Sequence, residues 1–215
     1  MSAKRPGFEF WDKRYAAPGF AYGTTPSRWL EARASDIRPG GRVLSLGEGE
    51  GRNAVWLAEQ GFTVDAVDGS AVGLEKAQEL AARRGVRIRT QVADLATYHP
   101  ESGAYDALVL VFVHLPPNIR SLVHAAGARA LRPGGVLIIE AFTHLQLGRP
   151  SGGPRQADLL YEVATVRSDF PGVDWLVLEE AEVELDEGPF HRGTAAIVRG
   201  VGKARPSRGH VDQES

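Results

Sequence analysis

The chain contains no cysteine. That absence excludes disulfides, iron–sulfur clusters and zinc–thiolate sites, and it suits a reducing cytosol. Long apolar runs are missing too. Nothing approaches the roughly 20 consecutive apolar residues that cross a bilayer, so no membrane partner is expected. The opening stretch MSAKRPGFEFWDKRY lacks the apolar core of a signal peptide, and a cytoplasmic location is expected. Charge of one sign is also scarce: 25 Lys and Arg stand against 27 Asp and Glu, a formal net charge of −2. This balance provides no electrostatic footprint for nucleic acid. No His-x-x-x-His pair, zinc-type cluster or Ser/His/Asp arrangement is found, so neither a metal nor a covalent nucleophile is expected.

What is present is an ordinary globular composition, 43% hydrophobic and 24% charged over 215 residues. That is enough for one well-filled core, hence one domain. Short Val/Leu/Ile-rich strand candidates at 42–46, 63–67, 87–91, 106–112 and 135–142 alternate with helix candidates at 51–60, 70–84 and 118–131. A helix-like segment at 26–35 precedes the first strand. Gly61 and Gly85 sit just past two helices, where a left-handed residue stops them, and ALRPGG reads as a helix stop followed by a turn. The alternation predicts a parallel sheet with helices on both faces. In the last third, segments 175–185 and 195–200 flank DEGPF and read as an antiparallel hairpin closing the sheet edge. The polar tail 203–215 is expected to be disordered, which leaves 1–202 as the domain.

The stretch VLSLGEGEGRN carries the first strand into a turn with Gly47, Gly49 and Gly51. The dinucleotide fingerprint wants its third glycine where Arg52 stands, and the phosphate-loop Lys-Ser/Thr is absent. Glu48 and Glu50, lying between the glycines, would repel a pyrophosphate. A ligand with a positive centre and no phosphate escapes that repulsion. S-adenosylmethionine, with its sulfonium, ammonium, ribose and adenine, is such a ligand. Asp68 ends the second strand, where it accepts from both ribose hydroxyls or else caps the helix beginning near Ser70. Asp94 ends the third strand, placed for the adenine amino group, with capping as its alternative.

With these features in register, the chain resembles a class I S-adenosylmethionine-dependent methyltransferase over roughly residues 8–202. Within that superfamily it is similar to the small bacterial group related to the tellurite-resistance and thiopurine methyltransferases. The likeness is carried by FWDKRY and FAYGTTPSRWL before the first strand, LGEGEGRNAVWLAEQGFTVDAVDGS, LRPGGVLIIEAF and DEGPFHRGTAAIVRGVG. It implies a Rossmann-like α/β fold with a seven-stranded, mostly parallel sheet of order 3-2-1-4-5-7-6, strand 7 antiparallel, and an N-terminal lid over 8–35. It also implies a cofactor site built from Trp11, Arg14, Tyr22, Leu46, Gly47, Glu48, Gly49, Asn53, Asp68, Gly69, Ser70, Ala93, Asp94, Leu95 and Val111. One departure is Ser45, where many superfamily members carry an acidic residue; the methionyl ammonium is then held by Glu48 or by backbone carbonyls.

Trp11, Tyr15, Phe20 and Tyr22 around Arg14 have two readings, a lid whose aromatic faces attract a sulfonium or an aromatic stripe packed on the core; Trp11, Arg14 and Tyr22 are read as lid and Phe20 as core. HLPPNIR lacks the polar first residue and the aromatic last residue of the Asp/Asn-Pro-Pro-aromatic motif of amino-methyltransferases acting on DNA bases, so it reads as a turn. His114, just before it, has two readings, acceptor contact or structural hydrogen bond. His191 and Arg192 match a segment near the substrate side of the tellurite-resistance relatives. There His191 accepts a proton or serves only as a local hydrogen-bonding group, and Arg192 orients an anion. The Gly/Pro-rich stretch 147–163 is expected to form part of the acceptor pocket. The expected activity is methyl transfer to a small-molecule acceptor, whether a thiol, a thiopurine or a chalcogen oxyanion, with His114, His191 and Arg192 as catalytic candidates. Its rival is a module that binds the cofactor without catalysis. A monomer or weak homodimer is expected.

Overall fold

The computed structural model describes residues 8–206. The tail expected to be disordered lies outside the described residues from 207 on, whereas Lys203 and Ala204 belong to the last strand. Helix α1 (Phe8–Tyr15) and helix α2 (Arg28–Arg33) precede strand β1 (Arg42–Leu46). Then follow α3 (Arg52–Glu59), β2 (Thr63–Asp68), α4 (Ala71–Arg83), β3 (Arg89–Val92), β4 (Tyr105–Val111), α5 (Pro117–Ala130) and β5 (Leu131–Phe142). The chain closes with α6 (Val163–Asp169), β6 (Val173–Asp186) and β7 (Arg192–Ala204). The seven strands form one sheet in the order β3-β2-β1-β4-β5-β7-β6, as the resemblance implies. β7 runs antiparallel to both of its neighbours.

Strands β1 and β4 are nearly continuous apolar runs because both sheet faces are covered; every residue of β4 is buried. Successive side chains go to opposite faces. Val43, Val109 and Ile138 join Leu30, Ala54, Leu57 and Leu80 from α2, α3 and α4. Leu44, Leu108 and Leu137 join Val123, Val166 and Phe170 on the other face, which α5 and α6 cover. The edge strand β6 places Glu180 and Glu184 in solvent and buries few of its residues, charged edges being a common guard against further pairing.

Two strands depart from the sequence pattern. β7 extends to Arg192 and Ala204 rather than 195–200, because ladders to β5 and β6 support it on both sides, whatever its side chains. β5 begins at Leu131, paired with Tyr105, so the expected turn at RPGG is an irregularity within the ladder. Where α3 crosses α4, Gly51 takes φ +90°, and a Cβ on it would stand 2.6 Å from that of Ala77. Close helix contact therefore requires glycine here.

Candidate cofactor and acceptor site

The carboxyl ends of β1, β2, β3 and β4 meet at one edge of the sheet, where open α/β folds bind ligands. Strand β1 enters the turn at Gly47 and Gly49, at φ +64° and +63°. The two glutamates of this turn are directed inward. Glu48 Oε1 accepts the amides of Asn53 and Ala54 at 3.1 and 2.8 Å, and its other oxygen takes the Ser45 hydroxyl in a short contact. These amides belong to the first turn of α3 and have no intrahelical acceptor. Glu50 accepts the Ala21 amide at 2.7 Å and pairs with the Lys76 ammonium at 2.7 Å. Glu48 therefore anchors the start of α3 with Ser45 as its partner, and the repulsion argument against a pyrophosphate loses its basis because protein donors answer both charges.

Asp68 accepts the Gly49 amide through Oδ2 and the Ser70 amide through Oδ1, each at 2.8 Å. Capping of α4 falls to Ser70, whose hydroxyl accepts from the Gly73 amide at 3.0 Å and donates to Asp12 at 2.6 Å. The capping alternative for Asp68 is thereby resolved in favour of Ser70. Each oxygen of Asp68 carries one amide bond and keeps a lone pair, the capacity that two ribose hydroxyls need. Burial pushes its carboxyl up, with Asp12 adding to the rise, and the Ser70, Gly49 and Gly69 amides oppose that shift. Asp94 Oδ1 accepts the Ala96 amide at 3.0 Å, a local turn contact rather than a helix cap. Gly69, Ala93 and Asp94 line a cleft of about 840 Å³ together with Phe8, Asp12 and Tyr98. Leu95 is half-buried behind it, packed with Ala93 on the cluster that holds Leu46, and Val111 is buried at the end of β4. Asn53 Oδ1 accepts the Ser27 amide at 2.9 Å.

The N-terminal segment lies over this turn. A Cβ on Gly69 would stand 1.8 Å from the Phe8 ring, and one on Gly49 would stand 2.6 Å from the Tyr15 hydroxyl. Trp11 stacks on Tyr15 at 5.6 Å between ring centroids, and Arg14 donates to the Tyr22 hydroxyl at 2.9 Å. The Arg14 guanidinium also covers Phe190 at 4.2 Å, tying α1 to the turn between β6 and β7. Tyr15, one of the aromatics read as lid or core stripe, is buried against this turn, and its spacing of four from Trp11 puts both on one helix face. Phe20 packs against the core, as expected.

The three acceptor-side candidates separate. His114 is locked: Nδ1 donates to the Leu159 carbonyl at 2.7 Å and Nε2 accepts the Phe142 amide at 3.3 Å. Burial lowers its pKa to about 4. With both nitrogens bonded, His114 takes the structural reading rather than the catalytic one. Arg192 lies on the surface, its side chain 75% exposed and 3.4 Å from Asp186, so it orients nothing at the sheet edge. His191 is buried too, walled by Tyr22, Phe112 and Phe142 at centroid distances of 4.4, 4.6 and 5.2 Å. Phe112 stands at φ +55°, strained for a bulky residue and located at the sheet edge where ligands bind. Gly152, from the expected pocket segment, approaches the His191 ring: a Cβ there would stand 2.8 Å from Cδ2. Glu187 and Arg52, a buried pair at 2.8 Å, adjoin His191 and were not singled out from sequence. The spacing of four between Glu187 and His191 across DEGPF was the available signal.

The chemistry of this edge fits S-adenosylmethionine: carboxylate acceptors at the ends of β2 and β3, a cleft beside Gly69 and Ala93, and aromatic faces above. Residues 43–135 match the family model of a methyltransferase domain. A curated relative, 2-heptyl-1-hydroxyquinolin-4(1H)-one methyltransferase of Mycobacteroides abscessus, is 28% identical over 117 residues, covering 53% of this chain and 52% of the relative. The chain spans about half the length of the first curated relatives it matches. Among solved structures, one from work on the conversion of a disulfide bond into a thioacetal group during echinomycin biosynthesis superposes with a TM-score of 0.76. It is 20% identical, and the match covers 95% of this chain and 94% of that one. TehB from Haemophilus influenzae superposes with a TM-score of 0.67 at 18% identity, covering 92% of this chain and 67% of that one. Domain match and fold together imply S-adenosylmethionine as the cofactor.

Proposed function

Taking residues 43–135 as a methyltransferase domain set in a class I fold, we propose that the chain transfers a methyl group from S-adenosylmethionine to a small-molecule acceptor. The observation that carries this reading is the placement of Asp68, held by the Gly49 and Ser70 amides with lone pairs left over, beside the cleft lined by Asp94. In this reading Asp68 holds the ribose, Asp94 the adenine amino group, and Trp11, Tyr15 and Tyr22 cover the sulfonium end. Bound there, the cofactor supplies a methyl group on an already activated sulfur leaving group. The protein's part is chiefly to bring the acceptor into line and keep water out. Thiols, thiopurines and chalcogen oxyanions are the acceptors to which the family resemblance points. The molecule named for the curated relative adds a hydroxyquinolinone to that set.

Titration calorimetry tests the cofactor and S-adenosylhomocysteine release tests the activity. S-adenosylhomocysteine is expected to bind and NAD to give no heat. Turnover is expected with at least one of a panel of thiols, thiopurines, phenols, selenite and tellurite. Binding without turnover on any acceptor would favour a cofactor-binding module instead, and tight NAD binding would overturn the reading.

A further inference from the structure

We propose that Glu50 and Lys76 form a latch that fastens the segment between α1 and α2 across the cofactor turn, and that its release admits the cofactor and frees the product. The inference rests on the methyl-transfer reading and adds two positioning residues, neither of which holds the ligand in that reading.

The cover over the turn is shut. Asp68, which holds the ribose in that reading, is only 8% exposed. The Phe8 and Tyr15 rings of α1 stand so close over Gly69 and Gly49 that a Cβ on either glycine would collide with them. Asp12, one helical turn beyond Phe8, accepts the Ser70 hydroxyl at 2.6 Å, two residues from Asp68. A ligand that reaches both oxygens of Asp68 therefore displaces α1 from the turn. What holds α1 down is then what governs access.

The fastening lies in residues 16–23, which continue the chain from α1. The Lys76 ammonium, on α4, meets three oxygens: the Ala17 carbonyl at 3.0 Å, the Gly19 carbonyl at 2.5 Å and Glu50 Oε1 at 2.7 Å. An ammonium has three donors, so all are spent. Glu50 Oε2 accepts the Ala21 amide at 2.7 Å. One ion pair thus grips the backbone at positions 17, 19 and 21. The pair is well enclosed, the Glu50 side chain being 4% exposed and that of Lys76 20%. Salt screens such a pair little, and hydrogen bonds to charged groups are the stronger kind. Phe20, in the middle of the gripped stretch, lies beneath the ammonium at 5.5 Å and packs on the core. Beyond the latch the chain is anchored independently at Ser27, whose amide donates to Asn53 and whose hydroxyl donates to Glu140. Between these two anchors Gly23 takes φ +71°, a region that glycine enters freely, and the cover pivots there.

The same segment reaches the turn between β6 and β7. Tyr22 accepts from the Arg14 guanidinium at 2.9 Å and stands 4.4 Å from the His191 ring. The Ala21 carbonyl accepts the Phe190 amide at 3.3 Å. One latch therefore holds two walls, α1 over the cofactor turn and Tyr22 against the far turn. Glu50 and Lys76 act on the ligand through the backbone they grip. Loss of the latch loosens a bound ligand without removing any group that touches it, whereas a pair that only stabilises the fold leaves the rates of ligand exchange alone.

The test uses full-length protein with S-adenosylhomocysteine as the probe. Association is followed by tryptophan fluorescence, and dissociation of the radiolabelled probe is chased with an excess of the unlabelled compound. In wild-type protein the bound probe should slow hydrogen exchange of residues 16–23 about tenfold or more, because the cover then stays fastened. Lys76→Met should speed dissociation about tenfold, as loss of hydrogen bonds to a charged group does, without slowing association. Lys76→Arg, which keeps the charge and its donors, should bring dissociation back to within about threefold of wild type. Glu50→Gln should also speed dissociation, and combining it with Lys76→Met should add little, since both act on one latch. A lower melting temperature with an unchanged dissociation rate would make the pair structural and overturn the latch. Slower association would overturn it as well. So would exchange in residues 16–23 that the probe leaves unaltered in wild-type protein, a comparison that decides even if a variant fails to fold. Failure of wild-type protein to bind S-adenosylhomocysteine would overturn the methyl-transfer reading itself, and with it the ligand that the latch retains.

Discussion

Glu48 Oε1 accepts the amide of Ala54 at 2.8 Å, so the carboxylate that a reader of the turn would place against a ligand is built into the start of α3. It also accepts from Asn53 and Ser45. Burial raises its pKa, and these three donors oppose the rise. Replacing it by alanine leaves two buried amides and a hydroxyl without an acceptor. Glu48→Ala is therefore expected to lose about 2–3 kcal/mol of stability, read from urea unfolding. Wild-type stability combined with lost cofactor affinity would instead place this carboxylate at the ligand.

Asp68 clamps two loops at once, through Gly49 and Ser70. If its remaining lone pairs also hold the ribose, Asp68→Ala should weaken S-adenosylhomocysteine by about 2–3 kcal/mol, in line with a charge-assisted pair of hydrogen bonds. Calorimetry gives the affinity and thermal melting the stability. A variant that melts earlier yet binds with unchanged affinity would make Asp68 a clamp alone.

His114 links stability to pH in one direction. Its folded pKa of about 4 lies below the unfolded value near 6.5, so between these limits the unfolded chain binds more protons. Its contribution is fully present above pH 6.5 and declines as pH falls toward 4, by up to about 3 kcal/mol. Replacing it by Gln, which keeps polar atoms near the Leu159 carbonyl and the Phe142 amide, should flatten that decline in urea unfolding measured at stepped pH. An unchanged slope would show that another group titrates there.

Glu140 acts in the opposite direction. Burial raises its carboxyl to about 7, with Glu187 adding to the rise, while the Ser27 hydroxyl at 2.5 Å opposes it. A raised acid binds its proton more tightly in the folded state, so stability is lost as pH climbs from 4.5 toward 7 and beyond. Glu140→Gln removes that titration. Its stability relative to wild type should therefore rise steadily between pH 5 and pH 8. A constant difference across that range would refute the assignment.

Arg192 provides a contrast. Its side chain is exposed and, among the described residues, paired only with Asp186 at 3.4 Å. Arg192→Ala should stay within about 0.5 kcal/mol of wild-type stability, as surface substitutions usually do, with kcat and KM unchanged. A selective rise in KM would return it to the acceptor side.

The sequence alone determined the architecture, because the signals involved are local. The apolar run Tyr105–Val111 identified a strand buried on both faces, and it is one. Ser70 before an amphipathic segment marked the start of α4, where its hydroxyl now caps. Gly47, Gly49 and Gly51 marked a turn with positive φ, and all three have it. Period, caps and glycines act within a few residues, so they are legible in one dimension. Only the tertiary structure decided where the polar side chains point. Glu50 finds Ala21 29 positions away, and Ser27 finds Glu140 113 positions away. His114 and His191 look alike as letters at a strand boundary, yet one has both nitrogens bonded and the other leaves Nδ1 without a hydrogen bond among the described residues. A buried polar atom must find some partner to offset its lost hydration, and that partner is fixed only when distant segments pack together. Strand β7 shows the same division in the backbone: its length follows from ladders on both sides, which its own residues do not encode.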